Sequence, residues 1–216
     1  MNKIALLLSA IFLISSILLG QTAQTFTFTI EGMTCNSCAN TATKVLQDLK
    51  GVESATVDYE SKTATLSGKV TQDGIRAVLT TNTNFEALFE GESLVKALTD
   101  KERSAYDIKT IKGGHKMKFM EHLSSGKITV FDFYAEWCGP CRVFSPKVER
   151  MLLKYDNVAL RKVDIVDWKS PLSKQLTKAY KFPALPFTLI FDAGGKLLGK
   201  VKGNNIEMVE DIINRQ

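Results

Sequence analysis

Two Cys-x-x-Cys pairs, Cys35/Cys38 and Cys138/Cys141, use all four cysteines of a 216-residue chain. Each follows a strand-like segment and precedes a helix-like one, so each needs a local scaffold of its own. The first sits in Gly32-Met33-Thr34-Cys35-Asn36-Ser37-Cys38, after the alternating Phe26, Phe28 and Ile30. The second sits in Trp137-Cys138-Gly139-Pro140-Cys141, after the continuously apolar run Ile128 to Tyr134. One setting suits a soft metal and the other suits electron exchange. A single zinc site built from all four thiols is the structural alternative, but such sites separate their pairs by about 15–20 residues. These pairs stand about a hundred residues apart.

The chain is 44% apolar, enough for one or two compact cores, and two small ones fit because each pair has its own strands and helices. Its start, Met1-Asn2-Lys3 followed by an uncharged stretch from Ile4 to Gly20, has the basic and apolar regions of a secretory signal. Cleavage is expected after Ala23, with Gln21 an imperfect match at the minus-three position. An uncleaved membrane anchor is the alternative, since the apolar stretch nears the lower limit of about 17–25 residues for a bilayer span. Export to a bacterial periplasm or beyond would expose the thiols to oxidation, so a metal-binding dithiol there needs protection.

The formal charge of +5 conceals an asymmetry. From Gln24 to Glu90 there are five basic and eight acidic residues, a net of −3; from Gly91 onward there are 22 and 15, a net of +7. Two separately solvated surfaces would account for this, and so would attraction between the halves. The basic residues are scattered, with no aromatic-rich basic stripe, so nucleic acid is not an expected partner.

From Phe26 to Phe89 the pattern reads strand, helix, strand, strand, helix, strand. Ala39, Ala42, Leu46 and Leu49 share one helical face that Gly51 terminates. Ala55, Val57 and Tyr59 alternate in the next strand, opposite Ala64 and Leu66. Residues 91–104 are more charged and form the expected linker, within which Thr99-Asp100-Lys101-Glu102 has the form of a capping box. From Tyr106 the pattern becomes strand, helix (Lys116 to Leu123), buried strand, long helix after Cys141, strand, helix (Leu172 to Tyr180), strand, hairpin at Asp192 to Gly195, strand and closing helix. This is an α/β alternation ending in an antiparallel hairpin. The expected division is a signal over 1–23, a first domain over 24–90, the linker, and a second domain over 105–216.

Two thiolates satisfy a soft monovalent ion such as Cu(I) in near-linear array, and a loop-helix junction presents them with little rearrangement. Cys38, in the helix's first turn, faces the positive end of the helix dipole, so its thiolate is expected to be the favoured one. Residues 26–89, with Gly-Met-Thr-Cys-x-x-Cys, resemble the heavy-metal-associated domain of copper chaperones and of the periplasmic mercury-binding protein. The resemblance implies a ferredoxin-like βαββαβ fold with Cys35 and Cys38 as ligands. It also implies that Met33 packs into the core beneath the loop and that Phe85 shields the site. Cu(I) is the expected metal, with Hg(II) and Zn(II) as alternatives, and no organic cofactor is expected.

Cys138 closes a buried strand and opens a helix, which favours its thiolate, while Cys141 one turn later can resolve a mixed disulfide. Asp132 interrupts the apolar strand, where burial should raise its pKa and suit it to proton transfer with Cys141. Residues 106–216 resemble thioredoxin: Asp132 to Cys141 matches the active-site strand and motif, Pro146 the helix-kinking proline, Lys162 the lysine near the buried acid, and Gly203 the glycine before the last helix. The resemblance makes Trp137 part of the motif. It also makes Leu185-Pro186 the cis-proline step, facing the disulfide and lining the substrate groove. Phe187, Pro183 and the segment Asp167 to Pro171 depart from the family pattern. His115 and His122 read as surface residues.

Together the resemblances imply a ferredoxin-like domain followed by a thioredoxin fold, α+β then α/β. The implied function is an exported disulfide reductase coupled to metal handling; a metal chaperone or scavenger whose second domain only protects its dithiol is the alternative. Expected partners are disulfide-containing proteins, a copper-receiving protein or the chain's own metal domain, and a membrane thiol reductant as electron donor.

Overall fold

A computed structural model describes residues 22–216; the expected signal segment falls almost entirely outside them. Alternation in the first strand sets the first domain. Phe28 and Ile30 of β1 (Gln24–Glu31) point inward, flanked by polar residues that stay on the outer face. β1 lies centrally in a four-stranded antiparallel sheet of order β2-β3-β1-β4, with β2 spanning Val52–Val57, β3 Thr63–Gly68 and β4 Glu86–Leu88. The helices α1 (Asn36–Gln47) and α2 (Gln72–Thr83) bury Ala39, Ala42, Leu46, Ile75 and Leu79 against it. Truncating a fully buried member such as Leu46 to Ala would cost about 2–5 kcal/mol.

The linker is not loose. A capping box at Thr99 starts the one-turn helix α3 (Asp100–Arg103), as its Thr-x-x-Glu spacing predicts. Leu98 is buried, its backbone N–H donates to Glu149 at 3.3 Å, and Arg150 Nε donates to the Lys96 carbonyl at 2.7 Å. The connecting segment is thereby bound to the second domain.

The second domain is a five-stranded sheet of order β5-β7-β6-β8-β9. β5 (Ile108–Ile111), β7 (Val158–Asp164) and β6 (Ile128–Tyr134) run parallel; β8 (Phe187–Phe191) and β9 (Leu197–Lys202) are antiparallel. α4 (Gly139–Met151) and α6 (Ile206–Asn214) pack on one core and α5 (Pro171–Tyr180) on the other. Every residue of β6 up to Phe133 is buried, as expected for a central strand covered on both faces.

One expected helix is absent. Residues 116–123 form only a 3-10 turn over Phe119–His122. Gln175 accepts from the Met117 N–H at 3.0 Å and donates to its carbonyl at 2.7 Å, which removes both groups from any helical ladder. Gly113 and Gly114, both with positive φ, hold the preceding chain in a turn.

Candidate functional site

At the first pair, Cys35 caps α1 in extended conformation and Cys38 lies one turn into the helix, with sulfurs 2.7 Å apart. Both are half-buried and free. The Cys35 thiol is lowered to about 7, first by the Cys38 side chain, then by the Ser37 hydroxyl at 2.9 Å and the Cys38 backbone N–H. The donors of the helix start, Ser37 and Cys38, converge on this capping residue. Met33 is buried in the core beneath the loop, and the Phe85 ring stands against Gly32. No group of three or more His, Cys, Asp or Glu side chains converges among the described residues, so the pair offers two soft donors alone.

Cys138 and Cys141 are joined as a disulfide at the start of α4. The Cys141 N–H donates to Cys138 Sγ at 3.2 Å. Beneath them Asp132 is fully buried; desolvation raises its carboxyl from 3.8 to about 6, partly opposed by the Ser145 hydroxyl, which donates to it at 2.6 Å, and by the charge of Lys162. Its other oxygen, Oδ1, has no protein partner. Lys162 stands opposite Asp132 in the β6–β7 register, but its ammonium binds Glu149 at 2.6 Å. Glu149 is also buried and holds Arg103 at 2.7 Å. Leu185-Pro186 is cis, and the Pro186 carbonyl accepts from Gly203 N–H at 2.9 Å. Trp137 is 48% exposed, its indole N–H bonded to the Val166 carbonyl at 2.8 Å and its ring 5.6 Å from that of Trp168. His115 is exposed and His122 partly buried.

Ser145 and Glu149 were not among the expected site residues. The signal for them is periodic: Cys141, Ser145 and Glu149 recur every four positions, a polar stripe on the buried face of α4.

The two loops meet. Gly139, next to Cys138, packs directly under the Gly32 carbonyl, and a methyl at that glycine would also stand 2.8 Å from Thr34 Cγ2. Asn84 reaches Gly203 beside Pro186. Lys147 of α4 and Glu86 of β4 form an ion pair at 2.6 Å, both largely buried; the approach is too oblique for a hydrogen bond, so the attraction is coulombic.

The family model of the heavy-metal-associated domain matches residues 27–83, and that of thioredoxin matches residues 111–215. A thioredoxin H-type from Fagopyrum esculentum is 37% identical over 95 residues, covering 44% of this chain and 78% of that protein. A thioredoxin from Coprinus comatus is 36% identical over 100 residues, covering 45% and 89% respectively. Among solved structures, oxidized MerP from Ralstonia metallidurans CH34 aligns over 32% of this chain and 99% of its own at 24% identity, with a TM-score of 0.30. The chain belongs to the thioredoxin family and carries a heavy-metal-associated domain ahead of its thioredoxin domain. It is a thiol-disulfide oxidoreductase with a metal-binding domain.

Proposed function

We propose that the protein is an exported disulfide reductase that works in copper handling, keeping metal-site cysteines in the thiol form. The observation that carries this reading is the placement of a free, soft two-sulfur site against a redox disulfide on one chain. Cys35 and Cys38 would grip Cu(I) between two thiolates; two donors suit a two-coordinate soft cation better than Zn(II), which takes four. In its reduced form, Cys138 would attack a substrate disulfide, Cys141 would resolve the mixed disulfide, and Asp132 would accept the Cys141 proton. The Gly-Pro between the cysteines favours reductant over oxidant behaviour, and a membrane thiol reductant would restore the dithiol. Export rests on the apolar amino-terminal stretch, and the second domain's partners would be disulfide-containing proteins, a copper-receiving protein among them.

Two measurements test it. Anaerobic titration of the full chain against a Cu(I) chelator should show one ion bound, lost in Cys35→Ser/Cys38→Ser; an unchanged affinity in that variant refutes the metal site. With dithiothreitol as donor, reduction of insulin disulfides should fall at least about a hundredfold in Cys138→Ser. Full activity in Cys138→Ser refutes the redox site.

A further inference from the structure

We propose that the first domain is a substrate built into the chain: docked on the second domain's active-site face, its Cys35–Cys38 pair, when oxidised to a disulfide, is reduced by Cys138 and Cys141 of the same molecule. The proposal rests on reading the two pairs as a metal dithiol and a redox dithiol, and adds which disulfide is served and by what route.

Four features of the contact carry it. Thr34, the residue before Cys35, touches Gly139, the residue after Cys138, so the reactive positions lie one residue to either side of the junction. The closest approach uses glycine on both loops: Gly32 takes φ +99°, and any Cβ on Gly139 would strike the Gly32 carbonyl. The flanks are fastened by Asn84 against Gly203, next to Pro186, and by the Glu86–Lys147 pair, shielded enough from solvent that salt screens it little. Finally, the linker is bound to α4 through Lys96, Leu98 and Arg103, so the tether does not spend the approach in free diffusion.

The same contact closes the route from outside. Cys138 is 3% exposed and Gly139 is buried under Gly32 and Thr34, so a bulky external disulfide must displace the first domain to reach the nucleophile.

The chemistry balances as ordinary thiol-disulfide exchange. The Cys138 thiolate attacks one sulfur of the Cys35–Cys38 disulfide; a Cys138 mixed disulfide forms, and the other sulfur of the pair leaves as a thiolate. Cys141, having lost its proton to Asp132, attacks Cys138, so the Cys138–Cys141 disulfide forms and the second sulfur of the first pair is released. Two electrons move from the second pair to the first. A dithiol donor, the class of reductant already needed by the reductase reading, then reduces Cys138–Cys141.

The test uses the full chain carrying Cys141→Ser, with the first pair oxidised. Peptide mass mapping should find Cys138 joined to Cys35 or Cys38 in monomers, at a rate unchanged over a hundredfold dilution. Adducts formed only between molecules, at rates proportional to protein concentration, overturn the proposal. Adding Lys147→Glu should slow the in-chain step about tenfold by setting two carboxylates face to face, and Glu86→Lys together with Lys147→Glu should restore it. An in-chain rate that ignores both changes overturns the docked face as the route. On the Cys141-containing chain, Lys147→Glu should instead speed insulin reduction by uncovering Cys138. Insulin reduction and Cu(I) binding by the unmodified protein run in parallel: if both persist without in-chain transfer, this inference alone fails, whereas loss of either removes the reading beneath it.

Discussion

The two Cys-x-x-Cys junctions share a backbone plan and differ in what lies beneath them. Each places its first cysteine as the cap of a helix and its second one turn in. Under the first lies an apolar plug, Met33; its cysteines stay half-exposed and free. Under the second lies a buried carboxylate network, Asp132 with Ser145 and Glu149 with Lys162 and Arg103; its cysteines are buried and bonded to each other. An apolar floor leaves the sulfurs to an outside ligand, since nothing within exchanges protons with them. A floor of buried acids couples the sulfurs to a proton acceptor, which a dithiol-disulfide cycle needs. The same four-residue motif therefore acquires its chemistry from its second layer.

The largest effect of disturbing that layer should come from Glu149→Ala. It leaves Lys162 and Arg103 without their carboxylate and Leu98 N–H without its acceptor, and should cost about 3–5 kcal/mol in urea unfolding while exposing the linker to trypsin at Lys96 and Arg103. A loss no greater than that of an exposed ion pair would show that the network is not the floor of the site.

Asp132→Asn should act in the opposite direction. The folded-state carboxyl is raised from 3.8 to about 6, so folding takes up a proton between those values. The protonated group is tolerated below pH 3.8, and the stability penalty grows as pH rises through about 6. Above that range the charged carboxylate costs about 3 kcal/mol, which Asn would recover. Unfolding at pH 4 and pH 8 should therefore show the stabilisation only at pH 8, alongside slower turnover at neutral pH. Equal effects at both would refute the raised pKa.

At the first junction, Met33→Ala should cost about 2 kcal/mol, near the low end for a buried methionine because the overlying loop can settle into the space. Cu(I) affinity should drop with it; an unchanged affinity would mean that the loop holds its shape without the plug. The smallest change is Ser37→Ala, which removes a hydrogen bond to Cys35 and should raise its titration midpoint above about 7, followed by thiolate absorbance. A midpoint that stays put would assign the lowered value to Cys38 and the backbone alone.

Much of this was legible residue by residue. Phe28 and Ile30 alternate inward as β1 requires, Thr99 and Glu102 form their capping box, and Asp132 stands out as the one charged residue of a buried strand just ahead of a cysteine pair. Where reading failed, a side chain from afar intervened. Gln175, 58 residues on from Met117, takes the backbone groups that a helix over 116–123 would need. Lys162 stands beside Asp132 across the sheet and its charge acts on that carboxyl, while its ammonium also binds Glu149, a partner on a different element that the sequence did not name.

Local pattern by itself determined the order of strands and helices in each half, the two cysteine pairs and the buried acid, because periodicity, caps and turn residues act within a few positions of themselves; the folds came from the family resemblance of the two motifs. The tertiary structure alone decided that the linker is bound to α4 and that Gly32 and Thr34 of the metal loop rest on Gly139. Those outcomes depend on the shapes and charges of surfaces that meet only once the chain has folded, and Gly32 and Gly139 record the fit of the two loops without announcing their partner.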